Sequence, residues 1–191
     1  QTGRHEEAVA QFDKVNAIRP DISNNHLNRG ASLDELGRYD EAVSAYTKAT
    51  ELNPENSLAL FNRARTNYYL GNLESALTDY SAVIQLTPED AEAFNNRGLI
   101  YDALKDYENA VADFDSALEL RPLFAEAHSN RGAVLEVMGD LDGALVEYNH
   151  SLESDPELAS AHYNAARVYS RTGNVAACLE HLERVLEIVP Q

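Results

Sequence analysis

The sequence predicts an all-α solenoid of antiparallel helix pairs, and three features point to it. Pro20, Pro54, Pro88, Pro122, Pro156 and Pro190 stand 34 residues apart without a slip. At the same step Gly3, Gly37, Gly71, Gly139 and Gly173 form a column with Lys105 as its exception, and Ala8, Ala42, Ala76, Ala110 and Ala144 form another, closed by Cys178. Phe12, Tyr46, Tyr80, Phe114, Tyr148 and Leu182 form a third column within stretches whose apolar residues recur at helical spacing. A fixed period of this length is the mark of stacked supersecondary units, each burying its apolar face only against its neighbours.

In chain order, residues 1–22 are half a unit. His5 to Ile18 carry Ala8, Phe12 and Val15 at helical spacing and stop before Pro20, which reads as one amphipathic helix without its partner. Full units follow at 23–56, 57–90, 91–124 and 125–158, and the last, 159–191, ends just after its proline. Numbered from the first residue of each unit, a helix A takes roughly the first fourteen positions and a helix B runs from about position 18 to 30. The glycine column at position 15 supplies the turn between them. Proline at position 32 ends B, and the Glu, Asp or Asn beside it suits the positive start of the next A. Lys105 must either take a positive φ or loosen the turn at 104–107. The whole of 1–191 reads as a single solenoid domain.

Composition agrees. Apolar residues at 44% suffice for a continuous inter-repeat core. With 15 Lys plus Arg against 32 Asp plus Glu the formal charge is −17, which repels phosphate backbones and anionic lipid, so nucleic acid and membrane are not expected partners. One cysteine cannot form an internal disulfide, and no apolar run approaches a membrane span. The cytoplasm is the favoured location, although the first residue is not Met and a removed upstream signal stays open.

Gly or Ala at position 8 (Gly30, Ala64, Gly98, Gly132, Ala166), Gly at 15, Ala at 20, Tyr or Phe at 24 and Pro at 32 resemble the tetratricopeptide repeat over five units and a half. Small residues at 8 and 20 let A and B approach, and the aromatic at 24 fills the space over them. The resemblance implies a right-handed superhelix that binds partners on a concave face made by the A helices. Trp is missing from position 4, where His26, Leu60, Phe94, His128 and His162 stand.

At 100° per residue, positions 2, 6, 9 and 13 share one side of A, with 5 and 12 on its shoulder. Position 6 is a column of asparagines: Asn28, Asn62, Asn96, Asn130 and Asn164. An amide donates and accepts, so a row of them can pair with the backbone of an extended peptide of any sequence. The column resembles the asparagine ladder of the substrate-binding superhelix of O-linked N-acetylglucosamine transferase. Around it, unit 57–90 offers Leu58, Phe61, Arg65, Tyr68 and Tyr69, and unit 159–191 offers Tyr163, Arg167 and Arg171, the residue types of binding hot spots. Glu92, Asp102, Glu126 and Glu136 lie between, which favours a peptide with a basic centre. Columns 5 (Leu27, Phe61, Asn95, Ser129, Tyr163) and 9 (Ala31, Arg65, Leu99, Ala133, Arg167) lack the Lys, Asn and Arg set with which related repeats clamp a chaperone's carboxylate tail.

Arg29, Arg63, Arg97 and Arg131 at position 7 face Ala45, Asp79, Asp113 and Glu147 at position 23, so the last three are expected to form A–B ion pairs and Arg29 to be freer. No nucleophile motif, phosphate loop or metal-ligand spacing appears, so no catalysis, cofactor or metal is expected. Cys178 reads as a packed thiol, and the histidines at position 4 as residues facing the helix pair. Asn149-His150-Ser151 is a formal glycosylation acceptor placed inside helix B. Neither end carries a polar capping helix, which favours a fragment of a longer array, with end-to-end self-association as a further expectation. The sequence thus reads as a non-catalytic protein-interaction scaffold, with the substrate-recruiting arm of a larger enzyme, such as a glycosyltransferase, as the alternative.

Overall fold

Among residues 2–189, those described in this computed structural model, eleven α-helices and no strands occur. They are α1 (Thr2–Ile18), α2 (Ser23–Asp34), α3 (Tyr39–Leu52), α4 (Ser57–Tyr69), α5 (Leu73–Leu86), α6 (Ala91–Ala103), α7 (Tyr107–Leu120), α8 (Ala125–Met138), α9 (Leu141–Ser154), α10 (Ala159–Thr172) and α11 (Val175–Ile188). The even-numbered helices are the A helices and the odd-numbered ones the B helices. The first helix begins at Thr2, ahead of the His5 expected from its apolar spacing. Pro190 lies outside the described residues.

Sequence chemistry accounts for the boundaries. The turn between A and B closes in the same way each time. A backbone N–H just past the turn reaches back into the end of helix A: Arg38 to Leu33 O, Asn72 to Asn67 O, Asp106 to Tyr101 O, Asp140 to Leu135 O and Asn174 to Tyr169 O, at 2.8–2.9 Å. That closure requires a left-handed residue between, and Lys105 takes it with φ 62°. The turn is therefore kept rather than loosened, at the cost of strain that the glycines in this column avoid. Short side chains cap the next helices: Asn56 Oδ1 accepts from Ala59 N at 3.1 Å, and Asp90 Oδ1 from Ala93 N at 3.0 Å.

The small and aromatic columns meet as their sizes demand. A Cβ placed on Gly30 would lie 2.5 Å from the Tyr46 ring, and one on Gly132 would lie 2.8 Å from Tyr148. Tyr46, Tyr80, Phe114 and Tyr148 are the largest wholly buried side chains. Their burial moves the three phenols' pKa values upward, with Asp34 beside Tyr46 and Glu136 beside Tyr148 adding to the shift.

The packing separates into two compact units, Gln1–Ile100 and Tyr101–Gln191. In the first, α2 packs on α3 and α4 on α5, while α1 and α3 lean on α2 and α4. In the second, α8 packs on α9 and α10 on α11, while α7 and α9 lean on α8 and α10. Thus α3 in the first and α9 in the second are each shared by their own A helix and the A helix that follows, as in a solenoid of helix pairs.

The histidines at position 4 join the linker to the pair. Nε2 of His26, His128 and His162 lies 3.0–3.1 Å from the carbonyls of Pro20, Pro122 and Pro156, and a carbonyl only accepts, so each Nε2 carries a proton. Nδ1 of His128 also meets a carboxylate, Glu147 Oε2, at 2.8 Å. This pair, lying beside Arg131, holds the His128 pKa above its usual value. Cys178 is free and half-buried, and Ser151 of the formal glycosylation sequence is fully buried in α9. No helix among the described residues is long and apolar enough to cross a membrane.

Candidate functional site

The arginine column shows first which polar groups are committed to the fold. Arg63 forms a two-pronged pair with Asp79, both contacts at 2.7 Å, and its remaining nitrogen reaches Thr47 and Thr50. Arg131 bridges Glu147 at 2.8 Å and Asp115 at 2.7 Å. Arg97 reaches Ser81 at 3.2 Å. Arg29, expected to be freer for want of an acid at position 23, instead holds Asp13 at 2.6 Å. One rule covers all four. The arginine at position 7 reaches back to position 25 of the preceding repeat, where Asp13, Thr47, Ser81 and Asp115 each offer a short oxygen. These side chains link neighbouring repeats. A recess of about 480 Å³ is lined in part by Thr47, Arg63 and Asp79, which are already paired with one another.

The asparagine column and its neighbours lie on the same A helices. In the first unit Asn28 is exposed and Asn62 and Asn96 are half-buried. Asn96 accepts from Asn95 at 3.5 Å and lies by the Tyr80 hydroxyl. The amides of Asn28 and Asn62 take no side-chain partner among the described residues. Beside Asn62, Leu58 and Tyr69 are exposed and Phe61 stands edge-on to Tyr80 at 5.2 Å. Leu58, Phe61 and Val83 line a recess of about 200 Å³ whose rim carries Asp90 and Glu92. Arg65 and Tyr68 are half-buried and Glu92 is exposed. The first unit thus places an apolar seat next to a free amide, with acids at its edge.

In the second unit Asp102, at the end of α6, is half-buried, Glu126 is exposed, and Asn130 and Asn164 are half-buried. The Asn164 amide, like that of Asn62, takes no side-chain partner among the described residues. Tyr163, 54% exposed, lines a recess of about 280 Å³ with Arg167, Arg171 and Leu182. Glu136, read from the sequence as groove lining, is only 5% exposed. It accepts from Arg167 and Arg171, each at 2.7 Å, and from the Tyr148 hydroxyl at 3.3 Å. Burial alone would raise its pKa, but the two guanidiniums hold it below the usual carboxylate range. An equivalent cluster stands in the first unit, where Asp34 accepts from Tyr46 at 2.7 Å and Thr66 at 3.0 Å with Arg65 3.7 Å away. Here burial outweighs the donors and the Asp34 pKa rises. Sequence reasoning misses Asp34 and the closure of Glu136, although arginine at position 9 one repeat after an acid at position 12 is a readable signal.

His128, Glu147 and His150 bring three metal-capable atoms within 4.8 Å of one another. Nδ1 of His128 meets Glu147, its Nε2 meets the Pro122 carbonyl, and Arg131 also meets Glu147, so His128 and Glu147 are engaged with partners inside the chain.

Sequence models of the tetratricopeptide repeat match residues 27–91, 91–123 and 159–184, more than half of the chain together. The chain belongs to the tetratricopeptide repeat family. Among solved structures, a tetratricopeptide repeat protein from Parabacteroides merdae is similar at 26% identity with a TM-score of 0.87, over 99% of this chain and 75% of that one. The Thermus thermophilus protein TTC0263 is similar at 26% identity and TM-score 0.75, covering 88% and 92%. YrrB, a TPR protein with an unusual peptide-binding site, shares the fold at 24% identity and TM-score 0.71, covering 94% and 93%. No curated protein sequence matches the chain. Folds of this family are protein–protein interaction scaffolds, and the all-α helix-pair solenoid predicted from the period is the one observed.

Proposed function

We propose that this chain is a non-catalytic scaffold that binds an extended peptide segment of a partner protein along the asparagine-bearing faces of its A helices. The observation that carries the reading is the set of free amides. Asn is a mediocre helix former, yet it recurs in mid-helix at Asn28, Asn62 and Asn164 with no side-chain partner among the described residues. A peptide backbone supplies both the acceptor and the donor such an amide lacks. The seat formed by Leu58 and Phe61 suits one apolar side chain of the peptide, and exposed Tyr163 suits another. Exposed Glu92 and Glu126, in a chain of charge −17, favour a basic centre in the ligand and disfavour nucleic acid. The peptide-binding site of YrrB, on a similar fold, is consistent with this use.

The test is retention of a random peptide library by the wild-type chain and by the triple variant Asn28→Ala/Asn62→Ala/Asn164→Ala, once circular dichroism shows equal helicity. Wild type should enrich extended peptides with basic centres and the variant should lose them. Equal retention by the two would make the asparagines structural and end the proposal.

A further inference from the structure

Three units carry an acid at position 12 of helix A: Asp34, Asp102 and Glu136. Two of the three are closed within the chain. Asp34 is met by Tyr46, Thr66 and Arg65, and Glu136 by Tyr148, Arg167 and Arg171. The donors come from the same places each time, namely position 24 of the same unit and positions 9, 10 or 13 of the next A helix. For Asp102 those places hold Phe114, Ala133, Val134 and Val137, none of which can donate. Asp102 has no side-chain partner among the described residues. Burial alone moves its pKa upward, as for a carboxylate removed from water with no cation beside it.

We infer that Asp102 is the specificity anchor of the groove, pairing with the guanidinium of an arginine in the bound peptide. The ligand would supply the group that Arg65 and Arg167 supply to the other two acids. This rests on the peptide-binding reading above. The space is provided by Ala133, which ends at Cβ where Arg65 and Arg167 extend toward their acids. Arginine fits better than lysine. At Glu136 the Arg167 Nε and Nη2 atoms engage the two carboxylate oxygens at 3.0 and 2.7 Å, a fork that an ammonium cannot reproduce.

Two random peptide libraries decide it, identical except that one has a central arginine and the other a central citrulline, which keeps the shape and loses the charge. They are applied to the wild-type chain, to Asp102→Asn and to Ala133→Arg, with helicity checked by circular dichroism. Wild type should retain the arginine library about tenfold better, the worth of one charge-assisted hydrogen-bonded pair. Asp102→Asn should retain both libraries equally. Ala133→Arg, which closes the acid from within, should also lose the preference, and the Asp102 carboxyl should titrate lower by NMR than in wild type. If Asp102→Asn fails to fold, Ala133→Arg decides the question by itself. Equal retention of both libraries by wild type would overturn the anchor and leave peptide binding standing. An arginine preference that survives both substitutions would also overturn it, and retention of neither library would remove the peptide-binding reading as well.

Discussion

Asp79→Ala should be among the most damaging single substitutions on the chain's polar positions. Asp79 is 7% exposed and takes two hydrogen bonds of 2.7 Å from Arg63, itself 19% exposed. Removing one partner of a buried pair costs about 3–5 kcal/mol, because the other charge is left without compensation. Arg63 is not wholly abandoned, since Thr47 and Thr50 still accept from it at 3.2 and 2.9 Å and part of its surface meets water. The lower end, about 3 kcal/mol, is therefore expected. Urea unfolding followed by circular dichroism measures it, with Arg63→Met and the double variant completing a cycle. The double variant should cost much less than the two singles added, because it removes both charges together. An Asp79→Ala loss under about 0.5 kcal/mol, or singles that simply add, would refute the claim that the pair is a coupled, half-buried unit.

Three further outcomes follow from the geometry. Lys105→Gly should stabilise the chain by about 1 kcal/mol, because φ 62° costs a lysine energy that glycine does not lose; a destabilised variant in the same urea assay would contradict this. Gly30→Ala, with its Cβ 2.5 Å from Tyr46, should destabilise by about 1–3 kcal/mol and more than Gly132→Ala, where the closest approach is 2.8 Å; the reverse order would show that Tyr46 can step aside. His128 has a raised pKa from its bond to Glu147, with Arg131 opposing and the Pro122 carbonyl assisting. Its contribution should be fully present below the ordinary histidine value of about 6.5 and fade as pH rises through the raised one. The stability gap between wild type and His128→Gln should narrow on going from mildly acid to mildly alkaline buffer, and a widening gap would reverse the assignment.

The 34-residue period makes the helix pairs legible because every unit solves the same packing problem with the same residue types. The small residue at Gly30 beneath Tyr46 and the demand for a positive φ at Lys105 are readable for that reason. The polar partners are harder. Arg63 and Asp79 pair as their spacing predicts because both lie in one unit, whereas Arg29 reads as freer when only its own unit is searched. Its acceptor, Asp13, sits across the proline linker, and the run of Asp13, Thr47, Ser81, Asp115 and Asn149 at position 25 is the signal that could find it. Glu136 misleads in the same way. Helical periodicity assigns a residue to a face, but whether that face meets ligand or the next repeat's arginine depends on contacts one period away.

The arginine that reaches back across the linker in four of the repeats acts as a rivet between successive leaves. Its absence at Ala165 leaves Asn149 exposed and the last pair of helices fastened to its predecessor by Arg167 and Arg171 on Glu136 instead. The carboxylate that both arginines hold titrates. Because Glu136 has a depressed pKa, their hold is complete above the ordinary carboxylate range and is released as pH falls through the depressed value, so acid should peel α10 and α11 away first. Under tension the chain would open from that leaf, and the force needed to start it would fall as pH falls through the depressed Glu136 value.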